Sequence, residues 1–158
     1  FYGCKKLENV SFLDLTTINQ STFRGCEKLE SVSFPNVTFI GSAAFEECYS
    51  LKSVDFRNTS TIGSFAFEYC SSLSTAIFSS VSIIYSYAFY GCINLMSLTL
   101  IGDSVATLTY SNAFTSTTMR SSVNGVYGSI FVASSLMSDY MAANNWSYYS
   151  SRFAAISE

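Results

Sequence analysis

The sequence contains no histidine, one proline and one tryptophan, and only 12% of its residues are charged. The absence of histidine removes the commonest general base and the commonest transition-metal ligand, which excludes nucleophile systems that depend on it. The net charge of −3 gives no basic face for nucleic acid. No apolar run approaches the ~18 residues of a membrane span. These absences favour a binding or structural protein over an enzyme.

Hydroxyl side chains provide most of the polarity in place of charge. The 158 residues include 30 serines and 13 threonines, while 49% are hydrophobic and 16% are aromatic. This composition is far from that of a disordered chain, and the length suits one domain. Phe1 falls in the middle of the pattern described next, so we expect a fragment of a longer protein, without its leader and anchor.

A step of 22 residues recurs throughout the chain. The cysteines, one set of leucines and two sets of phenylalanines follow it: Cys4, Cys26, Cys48, Cys70 and Cys92; Leu7, Leu29, Leu51, Leu73 and Leu95; Phe1, Phe23, Phe45, Phe67 and Phe89; Phe12, Phe34, Phe56 and Phe78. A globular core has no reason for this periodicity, whereas a solenoid stacks equivalent residues of successive coils on each other. The sequence therefore predicts a repeat solenoid.

Each repeat divides into two kinds of local structure. The apolar spacing within Ala44–Cys48 predicts a short helical or 3₁₀ turn, which Ser42 is placed to cap. The alternation within Ser53–Phe56 predicts a strand. Gly41 and Gly63 suit turns that need a positive φ. We therefore expect a parallel β ladder whose strands are joined by short helical or 3₁₀ turns.

The five cysteines form one predicted column beside phenylalanine and leucine. Stacked neighbours would lie about 4.8 Å apart, longer than the ~3.8 Å between the Cβ atoms of a disulfide. We expect buried free thiols that act as small apolar spacers. A linear column does not converge on a metal ion, so we predict no metal and no cofactor.

The sequence divides into a solenoid over residues 1–124, with about five to six coils, and a C-terminal cap over residues 125–158. Residues 115–125 are rich in threonine, serine and asparagine, which predicts a loop. Residues 129–132 suit a final strand. Ser134 or Ser135 is then placed to cap a helix over residues 136–143. Trp146 is predicted to close the open end of the core.

Outward positions of the predicted strands form the first candidate binding surface. Its residues are Asn9, Ser11, Ser31, Ser33, Ser53, Asp55, Arg57, Thr75, Ile77, Ser97 and Thr99. Two interpretations remain open for this surface. It is either ordinary solvated β surface, or a hydrogen-bonding surface for an extended protein or a glycan.

Three tyrosines of one coil form the second candidate surface. Tyr90 occupies a column that elsewhere holds Tyr2, Arg24, Glu46 and Glu68, so we expect this column to be solvated. Tyr85 and Tyr87 lie in the same coil, and tyrosine is enriched in binding patches. Either these three rings anchor a partner, or they pack against the sixth coil or the cap.

The pattern A-F-x-x-C-x-x-L-x-x-V-x-F, preceded by I-G-S, stands at residues 44–56 and, with one change, at 66–78. It resembles the BspA-like leucine-rich repeats. Residues 130–136 and 145–149 resemble the C-terminal cap of such proteins from gut bacteria. The resemblance implies a leucine-rich-repeat solenoid of the α/β type, export from a bacterial cell and attachment at its surface. Some family members are adhesins that bind host matrix proteins. The sixth coil departs from the pattern, because Thr115 and Ser116 replace the glycine and cysteine that follow the phenylalanine.

The function expected from the resemblance is a non-enzymatic, cell-surface or secreted binding module that recognises a host extracellular protein or glycan. The alternative is a passive stalk or spacer that displays another domain. We expect a monomer without nucleic-acid partners, cofactors or membrane insertion. The resemblance does not carry over a ligand, because the binding residues of the family do not form a fixed motif.

Overall fold

Each repeat forms one coil, and equivalent residues of successive coils lie in register. The computed structural model describes residues 1–122 and 125–156. In chain order, its strands are β1 Asn9–Ser11, β2 Thr17–Ile18, β3 Ser31–Ser33, β4 Phe39–Ile40, β5 Ser53–Phe56, β6 Thr61–Ile62, β7 Thr75–Phe78, β8 Ile83–Ile84, β9 Ser97–Leu100, β10 Thr107–Leu108, β11 Ser129–Val132 and β12 Phe153–Ala155. The predicted solenoid with parallel strands is confirmed.

The longer strands form the first ladder, in which β1 pairs with β3, and β5, β7, β9, β11 and β12 form a five-stranded parallel sheet. The register joins Ser53 to Thr75 and Val54 to Ala76, which preserves the step of the repeat. Because strand side chains alternate between faces, Val54 and Phe56 are buried while Ser53 and Asp55 are exposed. The first ladder therefore presents one polar outer face to solvent.

A second ladder of two-residue strands was not predicted. Strands β2, β4, β6, β8 and β10 pair in parallel, and the buried isoleucines Ile18, Ile40, Ile62 and Ile84 lie in it. The sequence pattern shows these isoleucines as a core column. It gives little sign of a strand, because two residues are too short to display an alternation.

The segments between the second and first ladders are turns rather than the predicted helical segments. Ala43 and Glu47 both adopt a positive φ, which ends any regular helix. The backbone N–H of Phe45 donates to the carbonyl of Ala66 at 2.7 Å, and that of Glu47 to Glu68 at 2.8 Å. These hydrogen bonds run between coils, so the next coil satisfies backbone N–H groups that a helix would have satisfied internally. Among the described residues of the repeats, a 3₁₀ helix occurs only in the sixth coil, at Ser111–Phe114.

The expected positive φ at Gly41 and Gly63 is wrong. Neither glycine is among the residues of positive φ. A Cβ atom at Gly41 would lie 2.7 Å from the backbone nitrogen of Gln20, and one at Gly63 would lie 2.6 Å from that of Ser42. Glycine is favoured here because adjacent coils approach closely, not because the turn is left-handed.

Two columns of phenylalanine form the core. The rings of Phe45 and Phe67 stack with centroids 5.2 Å apart, and the same stacking continues from Phe1 to Phe114. In the second column, Phe34 and Phe56 stack at 6.4 Å. Stacked aromatic rings add attraction beyond the burial of their area. The repeat therefore fills its interior with one pair of aromatic rings per coil.

Cys26, Cys48, Cys70 and Cys92 are buried free thiols, as predicted, whereas Cys4 is exposed. The buried thiols are also hydrogen-bond donors. The thiol of Cys48 donates to the carbonyl oxygen of Phe23 at 3.2 Å, and the other three donate equivalently to Phe1, Phe45 and Phe67. Each thiol therefore links its coil to the preceding one. Burial raises the pKa of all four thiols.

The C-terminal part continues the first ladder before it closes the core. Residues 129–132 form a strand, as predicted, but β11 is not the last strand because β12 pairs with it in parallel. A 3₁₀ helix at Ser134–Leu136 and helix α1 at Met137–Ala142 follow β11. The predicted serine cap is wrong, since Leu136 occupies the N-cap position of α1 and no side chain caps it. Residues 123, 124, 157 and 158 of the predicted loop, solenoid and cap lie outside the described residues.

Trp146 closes the end of the core, as predicted. Its side chain is fully buried, and its indole N–H donates to the carbonyl of Ala106 at 2.7 Å. Its ring contacts Phe114, the last ring of the phenylalanine stack, at a centroid distance of 5.8 Å. Asn145 adopts a left-handed conformation beside it and donates to the carbonyls of Leu108 and Thr109. The cap thus satisfies carbonyls that a further coil would otherwise bond.

Removing one ring from the middle of the stack should strongly destabilise the solenoid. We expect Phe45→Ala to lower the free energy of unfolding by about 3–5 kcal/mol, because it leaves a cavity between two stacked rings. Phe39→Ala removes a ring that is 41% exposed and should cost about 1 kcal/mol or less. Urea unfolding followed by circular dichroism measures both. Equal losses for the two variants would contradict the stacked core.

The buried thiols should make the fold sensitive to alkaline pH. In the unfolded chain a thiol ionises above pH ~8.5, whereas burial keeps it protonated in the folded chain. The unfolded state then binds fewer protons, so stability falls as pH rises above this value, by about 1.4 kcal/mol per pH unit for each thiol. Urea unfolding under a reductant at pH values from about 7.5 to about 9.5, which span the ionisation of a thiol, measures the slope.

Single cysteine variants provide the control for this pH dependence. Cys70→Ala should reduce the slope, because Cys70 is fully buried, whereas Cys4→Ala should leave the slope unchanged, because Cys4 is exposed. A slope that neither variant alters would assign the alkaline sensitivity to other groups.

Candidate functional site

The outer face of the first ladder brings most of the predicted strand residues together; we call it the strand face. One column runs through Asn9, Ser31, Ser53, Thr75 and Ser97, and the other through Ser11, Ser33, Asp55, Ile77 and Thr99. All ten side chains are exposed or partly exposed. The strand face therefore has the composition that the sequence predicts, rich in hydroxyls and poor in charge.

Two further residues extend the strand face onto the sixth coil. Ser129 pairs with Ser97 in the register, and Phe131 pairs with Thr99. The repeat pattern does not place them on this face, because an insertion before β11 breaks the step of 22 residues. The alternation of Ser129 and Phe131 with the buried Ile130 and Val132 was the available signal.

The protein uses its hydroxyl groups differently at the corners of the coil and on the strand face. Ser60 donates to the carbonyl of Thr38, and Ser82 to that of Ser60, both at 3.1 Å. These corner hydroxyls bond one coil to the preceding coil. On the strand face, the hydroxyl of Ser31 donates to the side-chain oxygen of Asn9 in the preceding coil, whereas the hydroxyls of Ser53 and Ser97 make no hydrogen bond within the described part of the chain. They are exposed or partly exposed, and remain available to a partner.

A shallow depression lies where the first ladder is interrupted between β3 and β5. It has a volume of about 470 Å³ and is lined by Val32, Ser33, Phe34, Pro35, Asp55, Arg57 and Asn58. Asp55 accepts hydrogen bonds of 3.0 to 3.1 Å from the guanidinium of Arg57. The hydrogen bonds to Asp55 raise the pKa of Arg57 above its usual value. Within the described residues, the depression combines this charged pair with the hydroxyl of Ser33, which makes no hydrogen bond there.

The three predicted tyrosines do not form one cluster. Tyr87 and Tyr90 contact each other edge to face at 5.6 Å. Tyr85 is 40% exposed and makes no ring contact with either of them among the described residues. The preceding coil instead supplies Phe65, which stacks on Tyr87 at 5.3 Å, and Tyr69, which meets Tyr90 at 5.4 Å. Neither ring was predicted to join the tyrosines, although Phe65 stands one repeat before Tyr87.

The column that contains Tyr90 is less solvated than predicted. Glu46 is only 8% exposed, and Arg24 pairs with it at 2.9 Å. Burial raises the pKa of Glu46, although the charge of Arg24 opposes this rise. Burial also raises the pKa of Glu68 in the next coil. The expected solvation is wrong for Glu46, because a close stack of coils encloses the middle of the column.

Within residues 1–122 and 125–156, no helix has the length and hydropathy required to cross a membrane. The same residues contain no group of three or more cysteine, aspartate or glutamate side chains arranged to hold a metal ion.

Comparison with known proteins agrees with the repeat geometry. The model of the BspA type leucine rich repeat region matches residues 1–120 as six copies. No curated protein matches the chain significantly. Repeats of this family are generally surface-associated modules that bind other proteins or act as scaffolds. Since the match covers more than half of the sequence, the chain belongs to the BspA-type leucine-rich repeat family.

Proposed function

We propose that this protein is a non-enzymatic adhesion or recognition module, located at the cell surface or secreted, whose strand face binds an extracellular host protein or glycan. The observation that carries the proposal is that some of its hydroxyl groups bond to a neighbouring coil and others do not. Corner hydroxyls hold the coils together, whereas those of Ser53 and Ser97 have no internal partner in the described residues. A passive stalk needs only a solvated surface, whereas hydroxyls that repeat in register also offer a partner a donor and an acceptor at a fixed spacing.

The geometry of the strand face favours an extended partner. Its columns advance by one strand per coil, at the spacing of about 4.8 Å that parallel strands adopt. A chain with repeating polar groups, such as an extended peptide or a linear glycan, meets at least one hydroxyl group on each of the five coils. Asp55 and Arg57 in the depression add a charged pair that fixes the register of such a partner.

Binding to arrays of extracellular matrix proteins and glycans tests this proposal. We expect saturable binding by the unmodified protein, and a loss of more than about tenfold for Ser53→Ala combined with Ser97→Ala, given about 1 kcal/mol for each hydrogen bond. The melting temperature of this variant should stay unchanged, because neither hydroxyl has an internal partner in the described residues.

A matched pair of substitutions at the corners provides the control. Ser60→Ala combined with Ser82→Ala also removes two serine hydroxyl groups, but both of these donate to the preceding coil. This variant should lose about 0.5 kcal/mol of stability at each site and retain full binding. No binding across the array, or equal loss of binding in both variants, would instead favour the passive stalk.

A further inference from the structure

A second surface lies on another side of the coils, formed by outward residues of the turns that precede the first ladder. We call it the turn face. Its aromatic cluster consists of Phe65, Tyr69, Tyr87 and Tyr90, contributed by two adjacent coils. Phe65 and Tyr69 are 37% and 43% exposed. Exposed aromatic rings that contact each other form a patch suited to binding rather than to a core.

The rings of the aromatic cluster are held in fixed relative positions. Tyr90 is oriented at 80° to Tyr69 and at 77° to Tyr87, while Phe65 and Tyr87 stack within 6° of parallel. The ring of Tyr69 packs directly on Gly91, since a Cβ atom at Gly91 would lie only 2.6 Å from it. Only glycine leaves room for the ring at this position. The cluster thus presents ring faces in more than one direction, as sites that hold a cation between aromatic rings do.

The turn face also carries carboxylates beside the aromatic cluster. The backbone N–H of Glu47 donates to the carbonyl of Glu68, and that of Tyr69 donates to the carbonyl of Tyr90, each at 2.8 Å. These bonds place acidic and aromatic residues side by side in neighbouring coils. Lys5 pairs with Glu27 at 2.7 Å and Arg24 pairs with Glu46 at 2.9 Å. Within the described residues, neither Glu47 nor Glu68 has an ion-pair partner.

We propose that the turn face is a second binding site, and that it takes the cationic side chains of an arginine-rich peptide segment. A guanidinium placed on the ring of Tyr69 or Tyr90 gains a cation–π contact and also neutralises a carboxylate of Glu47 or Glu68. An uncharged sugar would stack on the rings and donate hydroxyl hydrogen bonds to the two carboxylates, but only a cation also neutralises their charge, so charge complementarity favours the arginine-rich partner. The site is independent of the proposed function, because it shares no residue with the strand face.

Fluorescence anisotropy with a labelled peptide of alternating glycine and arginine tests the site. We expect saturable binding to the full chain that weakens with added salt, and no binding of a peptide in which glutamate replaces arginine. Tyr69→Ser should weaken binding about tenfold, and Glu47→Gln combined with Glu68→Gln should do the same. Maltotetraose, which is uncharged, should not compete.

The chain provides matched controls for both substitutions. Tyr148→Ser changes a tyrosine of the cap that is 71% exposed, and Glu8→Gln changes an exposed carboxylate remote from the cluster; both variants should bind normally. Circular dichroism confirms that each variant is folded. No saturable binding, equal weakening in the controls, or competition by maltotetraose would overturn the proposal. The strand-face variant Ser53→Ala with Ser97→Ala should bind this peptide unchanged, which separates failure of this site from failure of the proposed function.

Discussion

Every coil of this protein is stabilised by its stacking on the next one. Backbone hydrogen bonds join the coils along both ladders and along the turns, as between Phe45 and Ala66. The phenylalanine stack and the thiol bonds connect the coils inside this shell. An isolated coil has no partner for these groups, since almost every contact that stabilises it comes from its neighbours. The last coil before the cap therefore needs other groups in place of a following coil.

The cap at the C-terminal end replaces a neighbouring coil with side chains. Trp146 takes the place of the next stacked ring, and Asn145 donates to carbonyls that a following coil would have bonded. The same requirement limits where function resides. Inward residues are fixed by the stack, and corner hydroxyls such as Ser60 are fixed by the bonds between coils. In the described repeats, the outward residues of the strands and turns remain available to a partner.

The two candidate surfaces differ in chemistry because they lie on different parts of the coil. Strand residues alternate strictly, so small polar side chains such as Ser53 and Ser97 fill the outward positions of a regular sheet. The turns contain left-handed residues such as Tyr69 and Tyr87, which spread larger side chains over the neighbouring coil. The strand face is therefore a flat hydrogen-bonding surface, and the turn face carries aromatic rings beside carboxylates.

A strict repeat transmits one local pattern to every coil, so the sequence alone was enough to predict the solenoid, the strand register, the outward columns of the strands and the burial of four of the five thiols. The folded structure supplied everything that depends on contacts between coils. It placed Phe65 and Tyr69 beside Tyr87, left Tyr85 apart, buried Glu46 against Arg24, and aligned Ser129 with Ser97 across an insertion. It also explained Gly41 by the approach of a neighbouring backbone. A residue's position within its repeat fixes whether its side chain points inward or outward, but the residues that it contacts are known only once the coils are stacked.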